Sequence, residues 1–264
     1  MIKLITAELI KLQSTKLWLY GWLAALVLGG GLVGMIGLIG PENSTPPMPG
    51  LNDPRGVATV LGLVGFTVFV PALMGAVAMT GEFRHRTITP TFLAEPRRWR
   101  VLVAKLIIWG LYGLSYGIIT CGSAIGALYA SAALTSTGVG MPFGEVASMM
   151  ARVAVAMAAY CLIGVAIGAI VRHQLLAVGI VLGWFYFLEY LIMIIPGASL
   201  LYPYLPGGAT AALTRATFIA EAAGDQLGMA VAPLVSPLAG GLLLVGYALV
   251  SAAAAVTFPL RRDV

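Results

Sequence analysis

Of 264 residues, 60% are hydrophobic and 9% are charged, and the mean hydropathy is +0.98. Soluble domains carry charge on about a quarter of their residues, so this chain holds more apolar surface than a water-soluble fold of its size can enclose. The formal net charge of +5 comes with no basic domain outside the apolar runs, which excludes a grip on nucleic acid and leaves attraction to anionic lipid.

Residues 1–16 place Ile2, Ile5, Leu9 and Leu12 on one helical face, with Lys3 and Lys11 away from it. The pattern predicts a short helix lying in the membrane interface, apolar side down, with Trp18 and Tyr20 at headgroup level. Apolar runs follow at 17–39, 57–80, 106–130, 153–171, 175–195 and 238–258. Each reaches or approaches the roughly 20 residues that a helix needs to cross a bilayer. None alternates with the period of two that a barrel strand requires. The predicted fold is all-α: a single polytopic domain, 1–264, of six transmembrane helices. The first run exceeds the core of a secretory signal, about 7–15 residues, and no small-x-small site follows it, so it is expected to stay as a span.

The connection 40–56 holds Pro41, Pro46, Pro47, Pro49 and Pro54 and is read as irregular. The segment 81–105, GEFRHRTITPTFLAEPRRWRVLVAK, concentrates six of the 15 lysines and arginines. The remaining basic residues divide the same way. Lys3, Lys11, Lys16, Arg172, Arg261 and Arg262 share its side of the membrane, against Arg55, Arg152 and Arg215 on the other. The positive-inside rule then places both termini and the basic segment in the cytoplasm, in a plasma membrane such as the bacterial inner membrane.

Cys121 and Cys161 fall inside the third and fourth runs, read as packing residues and not as a disulfide or metal pair. Gly30, Gly34, Gly110, Gly113, Gly117, Gly164, Gly168, Gly179 and Gly183 suit close helix packing, within or between subunits. Beyond the fifth run, 196–237 is largely apolar, but Gly207, Gly208, Arg215, Glu221 and Asp225 interrupt it. It is expected to form an external re-entrant or surface-lying cap, with a helical stretch at 209–223.

No P-loop, His-Glu-x-x-His or Gly-x-Ser-x-Gly sequence occurs, and the spans offer few polar groups for catalysis, so no enzyme activity is expected. Glu189, in WFYFLEYLIMIIPG, is the one acid well inside a run. A comparable charge at span centre costs about 2.5–3.5 kcal/mol. Two explanations stay open: a hydrogen bond to a neighbouring span or the cap, or a polar group on a substrate path bordered by Tyr186 and Tyr190.

Spans, interfacial helix and cap together resemble the type-2 ABC transporter permeases. The resemblance is sharpest at Glu82-Phe83-Arg84, Thr87, Pro96-Arg97-Arg98 and Lys105, where such permeases carry an acid, a Thr, a Pro with Arg and a Lys entering the next helix. It implies a coupling helix near 86–94, with Pro90 in its first turn, seated on a separate cytoplasmic P-loop ATPase. That partner would bind ATP and Mg, and this chain would bind no cofactor itself. Glu82, Arg84, Arg86, Thr87, Thr89 and Pro96 are the expected partner contacts. Arg97, Arg98, Trp99, Arg100 and Lys105 are assigned to topology and lipid. The resemblance further implies a second permease subunit, and a pathway lined by the first, second and fifth spans. The apolar spans suggest export of a lipophilic or amphipathic substrate, such as a drug, a peptide antibiotic or a lipid. The alternatives are a membrane scaffold or immunity-type protein that binds a partner through the same basic segment, and a channel or ion-coupled carrier.

Overall fold

The structure, a computed structural model, describes residues 1–45, 47–195, 197–214 and 232–257. Uninterrupted apolar runs satisfy their backbone polar groups internally, and lipid permits nothing else. Accordingly the described residues form helices and no strands. In chain order these are α1 (Ile2–Ser14), α2 (Leu17–Ile39), α3 (Pro54–Arg84), α4 (Ile88–Ala94), α5 (Arg98–Leu134), α6 (Phe143–Val171), α7 (Gln174–Gly183), α8 (Glu189–Ile194), α9 (Pro206–Thr214) and α10 (Pro237–Thr257). Among the described residues, five of them (α2, α3, α5, α6 and α10) are long and apolar enough to cross a membrane. The chain is a multi-pass membrane protein.

The fifth expected span, 175–195, is not among those five, although helical residues run without a break through 174–194; a π turn interrupts the α-helical pattern, as one does in α2 at Val27–Gly31. α7 runs into a π turn at Trp184–Leu188, and α8 follows. The π turn falls on four bulky rings in succession, Trp-Phe-Tyr-Phe. It also aligns residues five apart, so the Trp184 indole N–H donates to Glu189 Oε1 at 2.8 Å. α3 has a comparable irregularity, a 3-10 stretch at Leu63–Val68. Pro71 follows it, and its ring clashes with the carbonyl four residues earlier, at Thr67.

The basic segment 81–105 is not one loop. α3 continues to Arg84 and α5 starts at Arg98, leaving α4 between two short turns. Nothing after Pro96 breaks a helix. The 37 residues of α5 rise about 55 Å at 1.5 Å each, well past a hydrocarbon core of about 30 Å. Arg98, Arg100 and Lys105 therefore ride on a helix.

α6 lies at the centre, packed along α3 and α5, with α10 on a further side. Glycine sets the closeness of the α3–α6 crossing: a methyl group on Gly164 would collide with the carbonyl of Ala72. Gly113 and Gly117 of α5 meet α6 in the same way. Gly179 and Gly183, by contrast, face open space. Cys121 and Cys161 are both free thiols buried in the packing.

Only part of the expected cap is described. A 3-10 helix, Ala198–Tyr204, leads into α9, which packs against α10 and α6. The remainder of the helical stretch expected at 209–223 lies outside the described residues from 215 on, as do Arg215, Glu221 and Asp225. The last helix agrees with the expected run 238–258, of which residue 258 is outside the description; so are Arg261 and Arg262.

Candidate functional site

The last turn of α3, the first turns of α5 and helix α1 meet at one end of the bundle. Glu82 turns inward from α3 and Lys105 inward from α5, both over nine-tenths buried. Lys105 Nζ donates to Glu82 Oε1 at 2.7 Å and to Glu8 Oε2 at 2.6 Å. Lys11 closes the group, reaching Glu8 Oε1 at 2.8 Å and Glu82 Oε1 at 3.1 Å. Its Nζ also lies 3.4 Å from the Thr91 hydroxyl of α4. Two cations and two anions alternate, so the cluster is neutral as a whole.

A lone buried charge would be costly, and mutual pairing is what allows these four to leave water. Burial alone would lower the pKa of Lys11, but Glu8 and Glu82 beside it hold the value above that of an ordinary lysine. The second oxygen of Glu82 is buried without a hydrogen bond among the described residues.

This geometry places Lys11 and revises two sequence expectations, those for Lys105 and Glu82. Lys11, set by sequence away from the apolar face of α1, is drawn toward the bundle by the carboxylates of Glu8 and Glu82. The side of α1 turned to the bundle includes Leu4, Glu8 and Lys11, while Ile2, Leu9 and Ile10 stay exposed and available to lipid. Lys105, assigned from sequence to topology and lipid, sits in the protein interior. Glu82, expected to face a partner, is committed to the same cluster. Its carbonyl also accepts from the Thr87 N–H at 3.0 Å, which turns the chain into α4.

The other expected contacts lie on the outer surface. Arg84, Arg86, Thr87, Thr89 and Pro96 are exposed, with Arg84 donating to the Gln174 side chain at 3.0 Å. Arg86 adopts a left-handed backbone, φ 56°, which reverses the chain before α4. Pro90 occupies the first turn of α4, as expected, where its missing N–H costs nothing. Ile88 is buried beneath the helix, whereas Leu93 projects from it with 80% of its surface exposed. Sequence reading missed Leu93, because one leucine in a short segment carries no periodicity. Arg97 and Trp99 are exposed; Arg98 lies over the Phe92 ring and Arg100 over Trp99, at 5.2 and 5.6 Å to the ring centroids. Arg98 thus fastens α4 to α5.

Farther along the bundle, Glu189 is 3% exposed. Besides the bond from Trp184, its Oε2 accepts from the Gly207 N–H at 2.6 Å, at the start of α9. A cavity of about 80 Å³ opens beside it, lined by Phe66, Phe69, Tyr160, Phe185, Tyr190 and Tyr202 among others. Tyr190 stacks on Phe66 with centroids 6.5 Å apart. Tyr186 belongs to the π turn, and its side chain is outside the described residues. Glu189 therefore holds a hydrogen bond to the segment after the fifth run and also borders a cavity; the two sequence explanations do not exclude each other.

A family model described as ABC-2 family transporter protein matches residues 4–189, more than two-thirds of the chain. The match takes in all four members of the ion cluster and ends at Glu189. No curated protein matches the chain.

Proposed function

The chain belongs to the ABC-2 transporter family, and we propose that it is the membrane-spanning subunit of an exporter driven by a separate P-loop ATPase. The observation that carries this reading is α4. It is a short helix held at the tip of two long ones, exposed on its outer face at Thr89, Pro90 and Leu93, and fixed from behind by the ion cluster. Such a helix can receive a push and pass it on, because α3, α5 and α1 share the same four charges. ATP and Mg belong to the partner in this reading. A second permease subunit completes the pathway, and α4 and both termini face the cytoplasm of the plasma membrane. The cavity beside Glu189 belongs to the substrate path, and its apolar walls suit a lipophilic or amphipathic substrate.

The test is purification of the native complex, followed by ATPase assays in lipid. Leu93→Asp and Arg86→Glu are expected to cut substrate-stimulated hydrolysis by about tenfold or more, as loss of a central contact does at an interface. Both residues are exposed, so folding should persist. Full stimulation in both variants, or a native complex without an ATPase, would count against the assignment.

A further inference from the structure

The cavity beside Glu189 combines two features that point to one class of ligand. Six of the fourteen residues around it are aromatic: Phe66, Phe69, Tyr160, Phe185, Tyr190 and Tyr202. Its one charged residue among those described is Glu189, 3% exposed, and Thr210 and Thr214 also belong to the lining. Among the described residues no lysine or arginine pairs with that carboxylate; its bonds come from the Trp184 indole and the Gly207 amide. Both donors hold the carboxylate in place, yet neither carries a positive charge. Each carboxylate oxygen has a second lone pair, so a further donor can be taken without breaking either bond.

The backbone supports the same site. The 3-10 stretch Leu63–Val68 of α3 and the π turn Trp184–Leu188 both border this cavity. Departures of this kind inside long helices recur at functional positions. Gly65, on the 3-10 stretch, lines the cavity, and nothing lies within 4 Å of where its Cβ would be.

We infer that this cavity binds a monovalent organic cation, an ammonium group carried on a small apolar or aromatic body. The carboxylate neutralises the charge, ring faces attract it through their quadrupoles, and the apolar body fills the remaining space. An anion of the same shape would meet Glu189 unfavourably. A neutral one would leave the carboxylate uncompensated. The inference rests on the transporter reading only for what the bound cation is for; binding itself needs no ATPase.

The experiment uses the full chain in lipid nanodiscs and measures equilibrium binding of radiolabelled benzylammonium, with phenylmethanesulfonate as the oppositely charged probe on the same benzyl body. Empty nanodiscs supply the background. The cation is expected to bind and the anion not. Glu189→Gln should weaken cation binding by about tenfold or more, the scale of losing one partner from a buried charge pair. Because Glu189 also holds Trp184 and Gly207, Gly65→Leu provides a second arm. It fills the cavity, leaves the carboxylate intact, and should weaken binding to a similar degree. Equal binding of both probes, or unchanged cation affinity in either variant, overturns the site. Cation binding by a chain that assembles with no ATPase would uphold the site and sink the transporter reading.

Discussion

Lys105 and Glu82 are each more than nine-tenths buried at the same end of the bundle, 2.7 Å apart. Pairs of this kind are stabilising only as pairs, because removing one member strands the other in a poorly solvating interior. Lys105→Met is therefore expected to destabilise the protein by about 3–5 kcal/mol, read from thermal unfolding in nanodiscs. Adding Glu82→Gln should recover part of that loss, since the stranded charge is then removed. A Lys105→Met variant as stable as the parent would show that water, and not the ion cluster, solvates the site. Glu82 was legible as a motif residue and Lys105 as a basic residue entering a helix. Glu8 was not marked at all. Lys11 is three positions away, but the more deeply buried partner, Lys105, is 97 positions away in sequence, and local spacing carries no sign of it.

Among the elements, the central helix α6 depends on small residues. Gly164 lies against the backbone of Ala72, and Gly75 of α3 lies against the backbone of Cys161. Lipid offers little hydrophobic drive for helices to associate, so close backbone approach is a main source of their attraction. Gly164→Leu forces α3 and α6 apart, and overpacking typically costs about 1–3 kcal/mol, more where backbone must move. The expected result is a lowered unfolding temperature together with increased labelling of the otherwise buried Cys161 thiol. Gly179→Leu, on a face of α7 with nothing near it, is the contrasting change and should leave both unaltered. Sequence spacing marked Gly164 and Gly179 alike; only the neighbouring backbone separates them. The short helix α4, at 88–94, lies within the 86–94 that the family resemblance implied. The extension of α5 to 37 residues was not, because charge density was read there as loop.

For the whole molecule, the basic end gathers α1, α4, the turn at Arg172 and the last turns of α10. Ala255 of α10 borders the same small cavity as Phe83, Phe92 and Arg172. The beginning of the described chain and its last helix thus reach the same end of the bundle, consistent with the division of charge along the sequence. Cysteine placed at Arg86 and at Glu145, at opposite ends of the long helices, should label from opposite sides of sealed right-side-out vesicles. Glu145 is expected to react with an impermeant maleimide from outside, and Arg86 only after the membrane is opened. Labelling of Arg86 from outside would reverse the orientation and remove α4 from reach of a cytoplasmic motor. The central windows of α2 and α10 are only 22% buried within the chain. Lipid or a second subunit is required to cover them.

The sequence alone determined that this is a helical membrane protein, and it indicated which end is basic. Those properties depend on composition and local periodicity, which one segment expresses without help from another. Tertiary structure decided which charges are neutralised inside the protein, which glycines touch a neighbour, and where α7 gives way to a π turn. It also decided that Glu189 lies beside a ring-lined cavity. Each of those depends on distances between segments far apart in the chain, and burial is a property of the neighbours as much as of the residue.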